Sequence, residues 1–279
     1  MTRVLSALVL LPVLIGVVWL LPPEGTLVLA LVVAVLAFSE YRNLARALGI
    51  TVPGGIGGVA VAVACYEMWW ADQPADFLMH GTAEPHGNIV YLVLLAALIV
   101  VGAVSVGRGR PAPGALADAA ATLFAPLYIG LPLGALAAVR DGWGRDGRLA
   151  LLLLAVVIIV SDSAQYYTGR AFGRRPLSPQ ISPKKTVEGA IGGVVFATLA
   201  MALGGRYVFW APVWVLALAG AAISLLGIVG DLFESLLKRS AGIKDSSNLI
   251  PGHGGVLDRI DSWLFAAPVY YVFVRMFAA

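Results

Sequence analysis

Apolar runs separated by short polar segments recur along the whole chain and predict membrane-spanning helices. Nine such runs stand out, at residues 4–21, 25–39, 53–70, 88–106, 116–138, 149–168, 187–204, 211–236 and 259–277. Most of them approach the roughly 20 residues that a helix needs to cross a bilayer. Asp118, Pro126 and Pro132 interrupt the fifth run, so we expect a bent or broken helix there. The pattern predicts an all-α, polytopic integral membrane protein with about nine transmembrane helices.

Composition agrees with this class and narrows it. Of the 279 residues, 59% are hydrophobic and only 13% are charged, whereas a soluble domain carries about a quarter charged residues. The single cysteine, Cys65, excludes an internal disulfide framework and a cysteine-based zinc site. The net charge of +3 is too small to predict a nucleic-acid partner. Pro22-Pro23-Glu24 follows the first run in place of a small-residue cleavage site, so we expect a retained span.

The basic residues fall in alternate loops, and this predicts an orientation. Every second polar segment carries most of the basic residues, which include Arg3, Arg42, Arg46, Arg108, Arg110, Arg170, Arg174, Arg175, Lys184, Lys185, Lys238, Arg239 and Lys244. Since short cytoplasmic loops are enriched in Lys and Arg, the N-terminus is predicted to be cytoplasmic. The loop 140–148, with three Arg and two Asp, is the exception. The two richest polar segments, 161–188 and 231–262, then share the cytoplasmic face, where they could meet.

The end of the eighth apolar run carries polar residues at helical spacing. Asp231, Glu234, Ser235 and Lys238 lie on one helix face. Placing an acidic residue at membrane depth costs free energy, so such a residue is a candidate for function. Asp231 is the strongest such candidate here. For Glu234 and Lys238 an ordinary i,i+4 pair on a solvated helix end is the alternative.

The glycine-rich segment that follows has the character of a ligand-binding loop. A regular helix is excluded by Pro251, Gly252, Gly254 and Gly255. Glycines permit close approach of the backbone to a ligand, and such loops can point N–H groups at an anion. Asp258 and Asp261 then follow three residues apart, although an Asp at this place is also a common helix cap. His253 has no second histidine nearby and makes a poor zinc site.

The other polar segment combines an acid with paired lysines. Asp162 and Gln165 close an apolar run, and Ser182-Pro183-Lys184-Lys185-Thr186 precedes the next one. The two lysines either grip a substrate phosphate or bind anionic lipid, as clustered basic residues at a membrane surface commonly do. Glu188 either contacts substrate or compensates the dipole of the helix that it begins.

Together these residue types indicate a magnesium and polyphosphate site. Carboxylates without His or Cys partners suit Mg²⁺, which binds through one or two carboxylates and substrate phosphates. Lys and Arg neutralise the remaining phosphate charge. The sequence contains neither a G-x-x-x-x-G-K-[ST] loop nor a G-x-S-x-G elbow, so a P-loop enzyme and an α/β-hydrolase are excluded.

Residues 235–261, S-L-L-K-R-S-A-G-I-K-D-S-S-N-L-I-P-G-H-G-G-V-L-D-R-I-D, resemble the signature of the phosphatidate cytidylyltransferase family, also called CDP-diacylglycerol synthases. Every fixed position of that signature matches over these 27 residues without a gap. I-S-P-K-K-T-V-E-G-A-I-G-G at 181–193 and S-D-S-A-Q-Y-Y-T-G-R-A-F-G at 161–173 resemble two further elements of the family, although Gln165 stands where a small residue is expected. We therefore divide the chain into an N-terminal transmembrane region, 1–140, which resembles the family weakly, and a catalytic transmembrane region, 141–279.

The resemblance implies an activity and its partners. CTP and phosphatidate would give CDP-diacylglycerol and pyrophosphate for phospholipid synthesis, with the active site on the cytoplasmic side of the cytoplasmic membrane. It also implies Mg²⁺, K⁺ as a second cation, contacts with membrane lipids and a homodimer. Phosphatidate is already largely ionised at neutral pH, so no general base is required, which weakens a role of His253 as a base.

The resemblance also implies roles for individual residues. Metal ligation falls to the carboxylates Asp231 and Asp258, with Asp261 either a third ligand or a group that supports the ligands. Catalytic roles, mainly in holding the triphosphate and stabilising the leaving pyrophosphate, fall to Lys238, Arg239, Lys244, Asp245, His253 and Arg259. Contacts with nucleotide or lipid phosphate fall to Asp162, Ser182, Lys184, Lys185, Thr186, Glu188, Ser235, Gly254 and Gly255.

Three other functions are compatible with parts of the sequence. A cytidylyltransferase acting on another lipid phosphate, such as an isoprenoid-linked one, would share the nucleotide and metal motif. An ion-coupled transporter would use intramembrane acids such as Asp118, Asp162 and Asp231, but it needs polar groups accessible from both faces, and here they cluster at one. A non-catalytic membrane scaffold does not account for so many polar positions in one motif.

Overall fold

The computed structural model describes residues 12–13, 15–71, 87–107, 114–141, 144–247, 249–250, 252 and 254–277. For residues 87–93 and 144–146 it describes the backbone only. Residues 15–20 are helical. The longer helices are α1 (Pro23–Ala47), α2 (Gly54–Trp70), α3 (Gly87–Gly107), α4 (Ala115–Ala125), α5 (Leu131–Asp141), α6 (Gly144–Phe172), α7 (Val187–Gly204), α8 (Val213–Ser240) and α9 (Leu257–Phe277). A helix therefore lies at the described part of every apolar run.

Several of these helices are long and apolar enough to cross a membrane. In the part of the chain that the structure describes, five helical stretches have this length and hydropathy: Pro23–Ala47, Ala115–Asp141, Gly147–Phe172, Val187–Tyr207 and Val213–Ser240. The chain is therefore a mainly helical, membrane-embedded protein, as predicted. The count of nine spans stays a prediction, because α2 has 17 residues and the first turn of α9 is charged.

The fifth apolar run is interrupted, as its prolines predict. Helix α4 passes into a five-residue π-helical turn, Pro126–Gly130, which leads directly into α5. Proline lacks the N–H that would continue the α-helical ladder, so the wider turn occurs where Pro126 enters the helix. Beyond it α5 lies against α2: a Cβ on Gly134 would come within 2.3 Å of the Cys65 carbonyl oxygen. This close approach places α5 in the core.

The core joins helices from both halves of the chain. One cluster of buried side chains comes from α1, α2, α4 and α5 and includes Leu257 and Leu264 of α9. A second comes mainly from α6, α7, α8 and α9, with Leu154, Met201 and Tyr270 fully buried. Helix α9 contributes to both clusters and thereby positions its own N-terminal turn against both halves.

A small antiparallel hairpin joins α6 to α7 and departs from the all-α prediction. Its strands are β1 (Pro176–Ser178) and β2 (Ser182–Thr186), paired Pro176 to Thr186 and Ser178 to Ser182. Prolines at 176 and 183 prevent a helix here, and the short connection allows a tight reversal. The hairpin carries Lys184 and Lys185 on successive positions of β2, so their side chains leave the strand on opposite faces.

Candidate active site

The two polar segments that the sequence predicts to share one face meet in the structure. The Lys185 ammonium on β2 forms an ion pair with the Asp231 carboxylate on α8. Ser235, one helical turn further along α8, donates a hydrogen bond of 3.4 Å from its Oγ to Asp231 Oδ1. The side chains of Lys185 and Asp231 are 24% and 32% exposed, so the pair remains accessible to a ligand. A lysine and an acid 46 residues apart in sequence thus form one polar site.

Two further carboxylates stand close to this ion pair. Asp162 of α6 and Asp261 of α9 each interact electrostatically with both Asp231 and Lys185. Helices α8 and α9 can approach so closely because residue 230 is glycine; a Cβ there would lie 2.4 Å from the Asp261 carbonyl oxygen. We call Asp162, Asp231 and Asp261 the carboxylate cluster. Its three acids come from three helices.

A second group of charges, the buried ion-pair network of Glu234, Lys238 and Asp258, lies one turn further along α8. Lys238 Nζ donates to Glu234 Oε2 at 2.6 Å and to Asp258 Oδ1 at 2.5 Å. The three side chains are 0%, 9% and 5% exposed respectively. Glu234 and Lys238 therefore do form the i,i+4 pair, but inside the protein and not on a solvated helix end. The role of Lys238 as a triphosphate ligand stays a prediction.

Asp258 holds the polypeptide that links α8 to α9, residues 241–256, which we call the signature loop. Its Oδ2 accepts hydrogen bonds from the backbone N–H and the hydroxyl of Ser246, both at 2.9 Å, and from the Gly255 N–H at 2.8 Å. The described part of the loop is not helical, as its glycines predict. Gly254 has φ +80° and stands close to Asp258, where a Cβ would lie 2.6 Å from Oδ2.

Glu40 of α1 is a site residue that the sequence analysis missed. Its side chain is buried, with the residue 2% exposed. Its carboxylate accepts four hydrogen bonds from the signature loop and the start of α9, donated by Ser246 Oγ, Ser247 Oγ, Val256 N and Leu257 N. The available signal was an acidic residue directly after an apolar run, at position 40, in the region that resembles the family weakly.

The remaining residues predicted around the signature loop are spread over its surface. Arg239, Lys244, Asp245 and Arg259 are exposed. Arg239 donates to the Ile243 carbonyl oxygen at 3.0 Å and so completes the end of α8. Arg259 interacts electrostatically with Asp162, which places it beside the carboxylate cluster. His253 lies outside the described residues.

The residues predicted around the hairpin have mainly local contacts. Thr186 caps α7, with its Oγ1 accepting from the Gly189 N–H at 3.1 Å. Glu188 accepts from the N–H groups of Arg174 and Arg175 at 3.0 and 3.2 Å, so it ties the end of α6 to the start of α7. Lys184 is exposed and Ser182 is half-buried. Their roles as substrate contacts stay predictions.

The carboxylate cluster has the donor chemistry that Mg²⁺ prefers. Among the described side chains, no group of three or more Asp, Glu, His or Cys residues is arranged to hold a metal ion alone. Mg²⁺ commonly uses only one or two carboxylates and takes its other ligands from substrate phosphates and water. Asp231 and Asp261 are near enough to interact and provide oxygen donors only. Both oxygens of Asp258 already accept hydrogen bonds, so its contacts favour a role in holding the loop.

This arrangement is suited to binding a polyphosphate beside a divalent cation. Lys185 interacts with each acid of the cluster, and Arg259 lies next to Asp162. Phosphate oxygens could replace carboxylate oxygens as partners of these cations, while the acids hold a metal ion. Such a site suits phosphoryl or nucleotidyl transfer, in which charge neutralisation and alignment dominate.

Similarity to known proteins agrees with this chemistry. The model of the cytidylyltransferase family matches residues 1–277. A phosphatidate cytidylyltransferase of Staphylococcus haemolyticus is 30% identical over 96% of this chain and 95% of its own length.

Other relatives match over a shorter stretch. A phosphatidate cytidylyltransferase of Synechocystis is 48% identical over 46% of this chain and 44% of its own length. The chloroplastic phosphatidate cytidylyltransferase 4 of Arabidopsis thaliana is 38% identical over 68% and 53%. The chain thus spans about half the length of these two relatives, whereas the family model covers nearly all of the chain. On this match and on the site described above, the chain belongs to the cytidylyltransferase family.

Proposed function

We propose that this protein is a phosphatidate cytidylyltransferase, which transfers the CMP moiety of CTP to phosphatidate and releases pyrophosphate. The observation that carries the proposal is the contact between Lys185 and Asp231, next to Asp162 and Asp261. It unites the two polar segments whose motifs resemble those of the family. The names of the relatives supply the substrates.

In the proposed reaction a phosphate oxygen of phosphatidate forms a bond to the α-phosphorus of CTP. The bond from that phosphorus to the β-phosphate oxygen breaks, and pyrophosphate leaves with the electron pair. Both reactants are anions, so the residues of the site act by neutralising charge and aligning the two phosphates. Lys185 and Arg259 are the cations beside the carboxylate cluster and are proposed to contact the phosphates.

Asp231 and Asp261 are proposed to hold Mg²⁺, with Asp162 beside them. A bound Mg²⁺ would withdraw charge from the triphosphate of CTP and so favour departure of pyrophosphate. Asp258, the other predicted ligand, is proposed to act through the signature loop, because its oxygens face Lys238, Ser246 and Gly255. The K⁺ ion and the homodimer stay predictions from the resemblance.

Product formation by the purified full-length protein in detergent tests the proposed function. Labelled CTP, Mg²⁺ and phosphatidate are supplied, with an isoprenoid phosphate as a parallel acceptor. Labelled lipid that forms with phosphatidate and not with the isoprenoid phosphate supports the proposal. Label on the isoprenoid alone would keep the chemistry and replace the substrate, and no labelled lipid from folded protein would refute a cytidylyltransferase.

Removal of divalent metal is expected to abolish turnover. Without a metal ion the triphosphate and the carboxylate cluster repel each other, and Lys185 and Arg259 alone cannot balance these negative charges. Activity is measured after treatment with EDTA and again after excess Mg²⁺ is added. Recovery with Mg²⁺ is expected. Full activity in EDTA would contradict the proposal that a metal ion takes part. It would not contradict the proposed substrates.

The hairpin is expected to face the cytoplasm, on the side that carries most of the basic residues. The sole cysteine, Cys65, is buried, so single added cysteines report accessibility without background. Gln180→Cys in the exposed hairpin turn should react with an impermeant maleimide only in opened cells. Tyr207→Cys, at the other end of α7 and 88% exposed, should react in intact cells. The reverse labelling would invert the topology.

A further inference from the structure

We propose that Glu40 is a positioning residue for nucleotide transfer: from α1 it holds the signature loop and the first turn of α9 in their active geometry. The inference rests on the proposed function. Its physical basis is the set of four hydrogen bonds between the Glu40 carboxylate and residues more than 200 positions later in the chain, all between 2.6 and 2.9 Å. The motifs that predict the other site residues all lie in the region 141–279.

The four bonds are divided evenly between the two carboxylate oxygens. Oε1 accepts from the Ser247 hydroxyl at 2.6 Å and from the Val256 N–H at 2.9 Å. Oε2 accepts from the Ser246 hydroxyl and the Leu257 N–H, both at 2.8 Å. Each oxygen therefore has one hydroxyl partner, which can also accept, and one amide partner, which can only donate. This pattern requires two acceptors side by side, which only a carboxylate provides.

Glu40 also stands at the N-terminus of α9, where backbone N–H groups lack partners within the helix. The Val256 and Leu257 amides point to it, and a negative charge at this end of a helix is stabilising. The same turn of α9 carries Asp258 and Arg259, and Asp261 follows. Movement of this helix start would therefore displace one residue of the carboxylate cluster and its neighbouring cation together.

The loop is shaped to receive this carboxylate. A Cβ on Gly255 would lie 2.3 Å from Glu40 Oε2 and 2.1 Å from Ser246 Oγ, so the glycine is required for the approach. Ser246 bridges two acids: its hydroxyl has one proton, which Glu40 Oε2 at 2.8 Å and Asp258 Oδ2 at 2.9 Å share. Glu40 and Asp258 thus hold the two sides of one loop.

Glu40→Gln tests the proposal with little change of volume. Whichever way the new amide lies, its NH₂ group faces either the Val256 or the Leu257 N–H, and two donors cannot bond. We expect kcat/KM for CTP to fall by about 100-fold, because a displacement of about 1 Å at a reacting site can cost that much. Amide hydrogen exchange should become faster in residues 241–257 and stay unchanged in α6 and α7.

Asp118→Asn is the matched control. Asp118 is also an acid of the region 1–140 that accepts a backbone N–H, from Thr51 at 2.8 Å, but it contacts no residue of the signature loop in the described structure. This variant should keep the wild-type kcat/KM and the wild-type exchange in residues 241–257. Ser247→Ala is the second variant: it removes the hydroxyl bond to Glu40 Oε1, and in the Glu40→Gln background its effect should be smaller than alone.

The outcomes separate positioning from general stability and from the proposed function. Glu40→Gln with wild-type turnover, or with faster exchange throughout the protein, would overturn the proposal. Additive effects of Glu40→Gln and Ser247→Ala would also count against it. If the wild-type protein itself forms no labelled lipid, the proposed function fails, whereas the exchange of residues 241–257 still decides whether Glu40 holds the loop.

Discussion

Asp231→Asn is expected to lower kcat by about 100- to 1,000-fold, the usual cost of removing one group that stabilises charge in a transition state. Asparagine keeps the size of the side chain but removes the negative charge that faces Lys185 and the proposed metal. Because the side chain is one-third exposed, the fold should tolerate this change. The measurement is the rate of labelled CDP-diacylglycerol formation at saturating CTP and phosphatidate.

Glu24→Gln serves as the control for Asp231→Asn. Glu24 is an exposed acid in the first turn of α1, away from the carboxylate cluster, and its loss should leave the rate unchanged. An Asp231→Asn protein that turns over at the wild-type rate would remove Asp231 from the metal proposal. A protein that loses activity only together with its folded state would do the same.

Lys238→Met is expected to have the largest effect on stability. The replacement removes the cation shared by Glu234 and Asp258 and leaves two buried carboxylates without their ion pair. Breaking a buried pair by removing one partner costs about 3–5 kcal/mol, because the remaining charge is desolvated and uncompensated. Thermal unfolding in detergent should therefore show a much lower Tm than for the wild-type protein.

Lys244→Met provides the comparison for Lys238→Met, since Lys244 is an exposed lysine in the neighbouring signature loop. Exposed ion pairs contribute little, so this change should leave Tm almost unchanged. If Lys238→Met instead kept the wild-type Tm and lost only activity, the buried network would not be structural and Lys238 would act as a phosphate ligand, as the motif implies.

The apolar runs predicted the helices well because burial in lipid requires long, uninterrupted apolar segments. It also predicted the interruption at Pro126, since the ring of proline removes a backbone donor. The helical spacing of Asp231, Ser235 and Lys238 predicted their common face, and the alternation of loops indicated that segments 161–188 and 231–262 could meet. These inferences depend on local rules, and local rules can be applied to sequence alone.

Contacts between distant segments were not predictable in the same way. Nothing near Glu40 in the sequence indicates that its partners are Ser246 and Leu257, because that contact depends on how α1 packs against α9. The burial of Glu234 and Lys238 was also missed, since helical spacing shows which residues share a face but not what covers it. The hairpin around Lys185 escaped notice because its strands are only three and five residues long.

The bonds of Glu40 also constrain the order in which the chain matures. Helix α1 leaves the ribosome long before the serines that donate to its carboxylate, which lie 206 and 207 residues later. Until then the acid has no partner from the signature loop, and a lone charge at the edge of the bilayer must stay in contact with water. Insertion of the last helix therefore completes the burial of an acid in the first half, so a truncated or misassembled chain retains an unpaired charge.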